Sequence, residues 1–123
     1  MTTKAIPSDY AYQFLDKDLT VKVDRPLGST HPKHDDIVYP VNYGYIEGVE
    51  APDGEDVDAY ILGVDKPLQE FRGKCIALIH RTNDDDDKLI VVPEGKSYSD
   101  DQIRQMTEFQ EKFFKSEIIR LLK

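Results

Sequence analysis

The scarcities of this 123-residue sequence narrow its class before any motif is read. Cys75 is the one cysteine, so neither an intrachain disulfide nor a cysteine-based metal cluster can form, and a reducing compartment, the cytoplasm, is expected. No stretch approaches the roughly 20 apolar residues of a membrane span, and residues 1–9 hold no apolar run, so a soluble chain with no membrane partner is expected. Positive charge is also short: 16 Lys and Arg face 24 Asp and Glu, for a net charge of −8. Without a basic stripe to neutralise a phosphate backbone, nucleic acid is excluded as a partner. An acidic molecule repels small anions too, so a phosphate substrate would need divalent cations bridging carboxylates to its oxygens. His31, His34 and His80 lack zinc-ligand spacing, no serine sits in a nucleophile-elbow pattern, and no glycine-rich phosphate loop is present. Zinc, covalent and P-loop chemistry therefore have no support.

What is present suits one domain spanning 1–123: 39% apolar residues suffice for a single core, and 33% charged residues imply a heavily solvated surface. Short apolar or β-branched runs at 10–15, 19–23, 38–46, 57–62, 74–80 and 88–92, each bounded by turn residues, read as strands. Polar connectors fall at 28–36, 50–56 and 83–87. From Ser99 onward Ile103, Met106, Phe109, Phe113 and then 118–122 follow helical spacing, which predicts a terminal helix. Ser99 with Gln102 forms a capping-box pattern, and Asp100 and Asp101 suit the positive end of the helix dipole. The fold expected is mainly β with α: an OB-like closed antiparallel β-barrel with a packed C-terminal helix.

Two acidic groups carry the candidate chemistry. Asp53, Glu55, Asp56 and Asp58 crowd the stretch DGEDVDAYILG, where mutual repulsion requires either full solvation or hard divalent cations. An EF-hand loop is excluded by spacing, because counting from Asp53 puts Asp58 and Val64 where glycine and glutamate are needed. The second group, Asp84 to Asp87, leads through Lys88 into an apolar strand. Taken singly, each group is also what a solvated acidic loop looks like. In YPVNYGY, Tyr39, Tyr43 and Tyr45 suit a half-buried strand, while a phenol facing a polar pocket can donate to phosphate.

Read together, YPVNYGYI, then DGEDVD, then D-x-K before an apolar strand resembles the pattern of the family I inorganic pyrophosphatases. The family's D-x-D-P-apolar-D signature falls on Asp53, Glu55, Asp56, Val57 and Asp58, with Glu55 in place of an aspartate and Asp56 in place of the common proline. Upstream, Asp24, Lys33 and Asp35 reproduce the family's acid, lysine and acid spacing. Downstream, D-x-K falls on Asp86 and Lys88, the earlier loop aspartate on Asn83 or Asp84, and the tyrosine–lysine pair on Phe114 and Lys115. Between Asp35 and Tyr39 this chain has three residues where the family has a hairpin with a phosphate-binding arginine, which finds no counterpart.

The resemblance implies Mg²⁺-dependent hydrolysis of inorganic pyrophosphate to two orthophosphates by metal-activated water, with two or more ions bound. It implies Asp53, Asp58 and Asp86 as ligands of the tighter ion, with Glu55, Asp84 and Asp24 completing the metal set. Glu55 would be the general base, working with Asp53 and Asp58, and Lys33, Tyr43, Lys88 and Lys115 would contact phosphate. The family commonly assembles and an apolar strand edge would encourage it, so a homo-oligomer is one open outcome. A hydrolase of another small diphosphate, a non-catalytic metal- and phosphate-binding module of the same fold, and a structural acidic protein remain open alternatives.

Overall fold

In β5 (Asp87–Val92) the run Leu89, Ile90, Val91 and Val92 is wholly buried, as a strand must be when it has protein on both faces. A computed structural model describes residues 9–50, 56–82 and 87–120, and within them β5 is the middle of a rolled sheet. The other strands are β1 (Asp18–Arg25), β2 (Asn42–Glu50), β3 (Asp56–Ile61), β4 (Glu70–Arg81) and β6 (Ser116–Ile119). Their order is β1-β2-β3-β5-β4-β6, and a further pairing of β1 with β4 closes five of them into a mixed barrel, leaving β6 outside on β4. β4, at 12 residues, is long enough to serve both seams: its first part pairs with β1, its middle with β5 and its end with β6.

The OB-like barrel expected from the sequence is the fold found, with one pairing of opposite sense. β3 and β5 run parallel, with Asp58 opposite Lys88, because the chain crosses between them through β4. The run at 10–15, expected as a strand, instead contains the helix α1 (Asp9–Tyr12) and a following turn. Ala11, Phe14 and Leu15 are buried there at i, i+3, i+4 spacing, the helical period rather than alternation. The terminal helix α2 (Asp100–Glu111) begins at Ser99 with the expected capping box. It stops sooner than expected: residues 116–119 form β6, since β-branched Ile118 and Ile119 find an open edge on β4. Residues 121 and 122 of that expectation lie outside the described residues.

Alternation along the strands builds two apolar clusters, one on each side of the barrel wall. Val21, Ile46, Val57, Ala59, Ile61, Cys75, Leu78, Leu89 and Val91 point inward from all five barrel strands, and Ala11, Phe14 and Leu15 close one end. Tyr39, Tyr43, Tyr60, Leu62, Ile79, Ile90 and Val92 point outward and are covered by α2 through Ile103. Asn42, fully buried, ties loops to this wall: its Oδ1 accepts from the backbone N–H of Leu27 and of Leu68, and its Nδ2 donates to the Lys66 carbonyl.

Candidate active site

The outward face of β1, β2, β3 and β5 next to α2 holds a cavity of about 560 Å³, a size usual for small-ligand sites. Asp24, Arg25, Tyr43, Asp58 and Lys88 line it, His31 and His34 flank it, and Phe113 and Phe114 come in beyond α2. Asp58 is the hub. Its Oδ2 accepts from Lys88 Nζ at 2.7 Å and from Tyr43 Oη at 3.0 Å. Lys88 is buried, so a lysine that would ordinarily reach solvent is held by a carboxylate across the parallel β3–β5 seam. Burial pushes the Tyr43 phenol well above its ordinary value, Lys88 opposing and Asp58 reinforcing the shift, so Tyr43 keeps its proton.

Local geometry explains how two neighbouring residues of β1 reach one cavity. Val23 pairs with Gly44 and Arg25 with Tyr43, so Asp24 and Arg25 together oppose one residue of β2 in a β-bulge. β2 approaches so closely here that a Cβ on Gly44 would lie 1.9 Å from the Lys22 carbonyl oxygen, which only glycine avoids. Although much of Asp24 is open to solvent, desolvation within the cavity raises its carboxyl above the usual range; Arg25 opposes this and Asp58 adds to it. His31 is pushed below its ordinary value by desolvation first, then by Arg25, His34 and Lys33, which leaves it neutral at pH 7.

Behind the cavity runs a chain of side-chain hydrogen bonds from β1 to β4. Arg25 Nη1 donates to Tyr39 Oη (2.8 Å), Tyr39 Oη to Gln110 Oε1 (2.7 Å), and Gln110 Nε2 to Tyr60 Oη (2.7 Å). Tyr60 Oη donates to Glu111 Oε2 (2.7 Å), and Glu111 receives both Nε and Nη2 of Arg81 (3.0 and 2.8 Å). Arg81 also lies over the Phe114 ring, 3.6 Å from its centroid. The network ties the end of α2 to the tyrosines of the outer wall.

Of the residues expected from the sequence, Asp24, Tyr43, Asp58 and Lys88 meet in this cavity. Lys33 is exposed in the turn beside it, its backbone N–H donating to His31 Nδ1. Lys115 is exposed as well, its carbonyl accepting from the Thr82 N–H, while its neighbour Phe114 is the one that lines the cavity. Asp53, Glu55, Asp84 and Asp86 lie outside the described residues. Asp56 and Asp87, which begin β3 and β5, stand at the same end of two adjacent parallel strands. Arg25 and Arg81 were not foreseen: strict alternation aims Asp24 and Arg25 at opposite faces, and Arg81 reads as the solvated end of a strand.

Two aspartates from different strands facing one cavity are the hard oxygen donors that Mg²⁺ takes, and they fit part of a metal set. Among the described residues no group of three or more His, Cys, Asp or Glu could hold an ion without further donors. No helix among them is long and apolar enough to cross a membrane.

The protein-family model described as inorganic pyrophosphatase matches residues 8–120. The chain belongs to the inorganic pyrophosphatase family. It is 30% identical over 94 residues to an inorganic pyrophosphatase of Saccharolobus solfataricus, covering 73% of this chain and 51% of that protein. Over 93 residues it is 30% identical to one of Aeropyrum pernix, covering 72% and 49%. The chain thus spans about half the length of these curated relatives. Among solved inorganic pyrophosphatases, that of Ehrlichia chaffeensis superposes with a TM-score of 0.65 at 18% identity, covering 84% of this chain and 85% of its own. That of Helicobacter pylori gives 0.60 at 16% identity over 98% and 89%. These likenesses show that the family's fold is kept in the shorter chain.

Proposed function

We propose that the chain hydrolyses inorganic pyrophosphate to two orthophosphates with Mg²⁺, two or more ions bound. The observation that carries this reading is Asp58, facing a cavity with Asp24 while one of its oxygens is held by buried Lys88 and by Tyr43. Carboxylates and cations sharing one wall can take up a metal–diphosphate complex, which a uniformly acidic or basic wall would not. Asp24, Asp53, Asp58, Asp84, Asp86 and Glu55 would hold the ions, which supply charge neutralisation for the diphosphate and lower the pKa of attacking water. Glu55 would be the general base for the attacking water, with Asp53 and Asp58 in the same catalytic set. Lys88, with Lys33 and Lys115, contacts phosphate and stabilises charge on the leaving group. Tyr43 has one proton, and it is committed to Asp58. Its contact with phosphate therefore requires Asp58 to be neutralised otherwise, as when an ion is bound. A soluble protein of the reducing cytoplasm, without nucleic-acid or membrane partners and able to self-associate, belongs to the same reading.

Phosphate release from pyrophosphate with Mg²⁺ tests it, wild type against Asp58→Asn. The expected result is turnover in the wild type and a loss of about 100-fold or more in the variant. Equal residual activity in both preparations overturns the assignment, and tight diphosphate binding without turnover would instead favour a non-catalytic module.

A further inference from the structure

We propose that Arg25 is the guanidinium that binds the diphosphate in this chain, doing from β1 what the family's hairpin arginine does elsewhere; the proposal rests on the reading of the cavity as a diphosphate site. The segment that would carry that hairpin is a tight turn here, with His31 N–H bonded to the Ile37 carbonyl at 2.9 Å and Thr30 bridged to Val38. It brings no arginine. Arg25 lines the cavity instead, because the bulge adds it to Asp24 on the same side of the strand.

Three features distinguish it from an arginine engaged in structure. Among the described residues its one side-chain hydrogen bond goes to a neutral phenol, Tyr39 Oη, and no carboxylate lies within ion-pair distance. A guanidinium has five N–H donors, so four remain. Arg81, by contrast, gives Nε and Nη2 to Glu111. The Arg25 head is also held in place, with its carbon 5.9 Å from the Tyr39 ring centre and 5.8 Å from that of Tyr43. Tyr39 is in turn fixed by Gln110 and by an edge-on contact with Phe109 of α2. A planar fork, fixed before the ligand arrives and with most of its donors available, is the arrangement that binds phosphate bidentately at low entropic cost. Tyr39 acts here as a positioning residue.

The test uses the intact chain with Mg²⁺, reading the dissociation constant of methylenediphosphonate by calorimetry alongside kcat and KM for pyrophosphate. Arg25→Gln is expected to weaken diphosphonate binding by about 10- to 100-fold with an unchanged melting temperature. Arg25→Lys should recover part of the loss, since charge returns without the fork. Tyr39→Phe should weaken binding by about 3- to 10-fold, as one hydrogen bond to a charged group is lost. Arg72→Gln, the same charge change at an exposed site on β4, is expected to leave every reading as in the wild type. If Arg25→Gln and Arg25→Lys bind within twofold of the wild type while Asp58→Asn abolishes turnover, Arg25 is not the phosphate ligand and the hydrolase reading survives. A wild type that neither binds diphosphonate nor hydrolyses pyrophosphate overturns both.

Discussion

The two sides of the barrel wall are made by the same strands and follow different rules. Inside, Val21, Ile46, Ala59, Leu78, Leu89 and Val91 meet only hydrocarbon and the Cys75 thiol, so shape and volume decide what fits. Outside, beneath α2, aromatic rings carry hydroxyls, and those hydroxyls join Gln110, Glu111, Arg25 and Arg81 in a directional network. The inner side supplies cohesion that tolerates no polar group. The outer side gives up some of that cohesion for fixed donors and charges beside a cavity, which is what a site for a small anion needs.

The largest effect should come from breaking the outer network at its end. Glu111→Ala removes the buried carboxylate to which both the Arg81 guanidinium and the Tyr60 hydroxyl donate, and about 3–5 kcal/mol of stability should be lost in urea unfolding. Methylenediphosphonate affinity should fall as well, because Gln110 and Tyr39 lose their anchor. An inner truncation should not couple in this way. Leu89→Ala should cost about 3 kcal/mol by the same measurement and leave diphosphonate affinity within twofold wherever the protein is still folded. A loss of affinity on truncating Leu89 would show that the two sides are one cooperative unit.

A third effect, smaller near neutrality, separates the sides by pH. Desolvation raises the Cys75 thiol inside to about 12, and it raises the phenols of Tyr43 and Tyr60 outside well above their usual value of about 10. The folded protein thus holds these protons more tightly than the unfolded chain. Their contribution is complete at low pH and is lost as pH rises past the unfolded values, about 8.5 for the thiol and about 10 for the phenols. The urea midpoint should be flat through neutrality, fall between about 8.5 and 10 because of Cys75, and fall more steeply above 10, each group adding up to about 1.4 kcal/mol per pH unit. Cys75→Ala should remove the first decline and leave the second.

Much of the barrel was legible because burial follows period. Leu89 to Val92 and Val57 to Ile61 are strands in the sequence and in the structure, and Ser99 with Gln102 marks the start of α2 in both. Misreadings came where a local pattern had two solutions. Ala11, Phe14 and Leu15 fit a helical turn as readily as a short run, and Ile118 and Ile119 continue a helix until β4 offers them an edge. Around the cavity, motif spacing in the sequence singles out Asp24, Tyr43, Asp58 and Lys88, whereas the place of Arg25 is hidden by a one-residue bulge and that of Arg81 by its pairing with Glu111, 30 residues away.

The sequence by itself determined the residue types and their alternation: which faces of which strands are apolar, where α2 is capped, and that carboxylates and lysines recur around tyrosines. Only the tertiary structure decided that β3 and β5 lie side by side in parallel, that Asp58 meets Lys88, and that two consecutive residues of β1 turn into one cavity. The physical reason is range. Periodicity and capping are interactions between near neighbours in the chain, while register, bulges and buried charge pairs are settled by contacts that exist only after the barrel has closed.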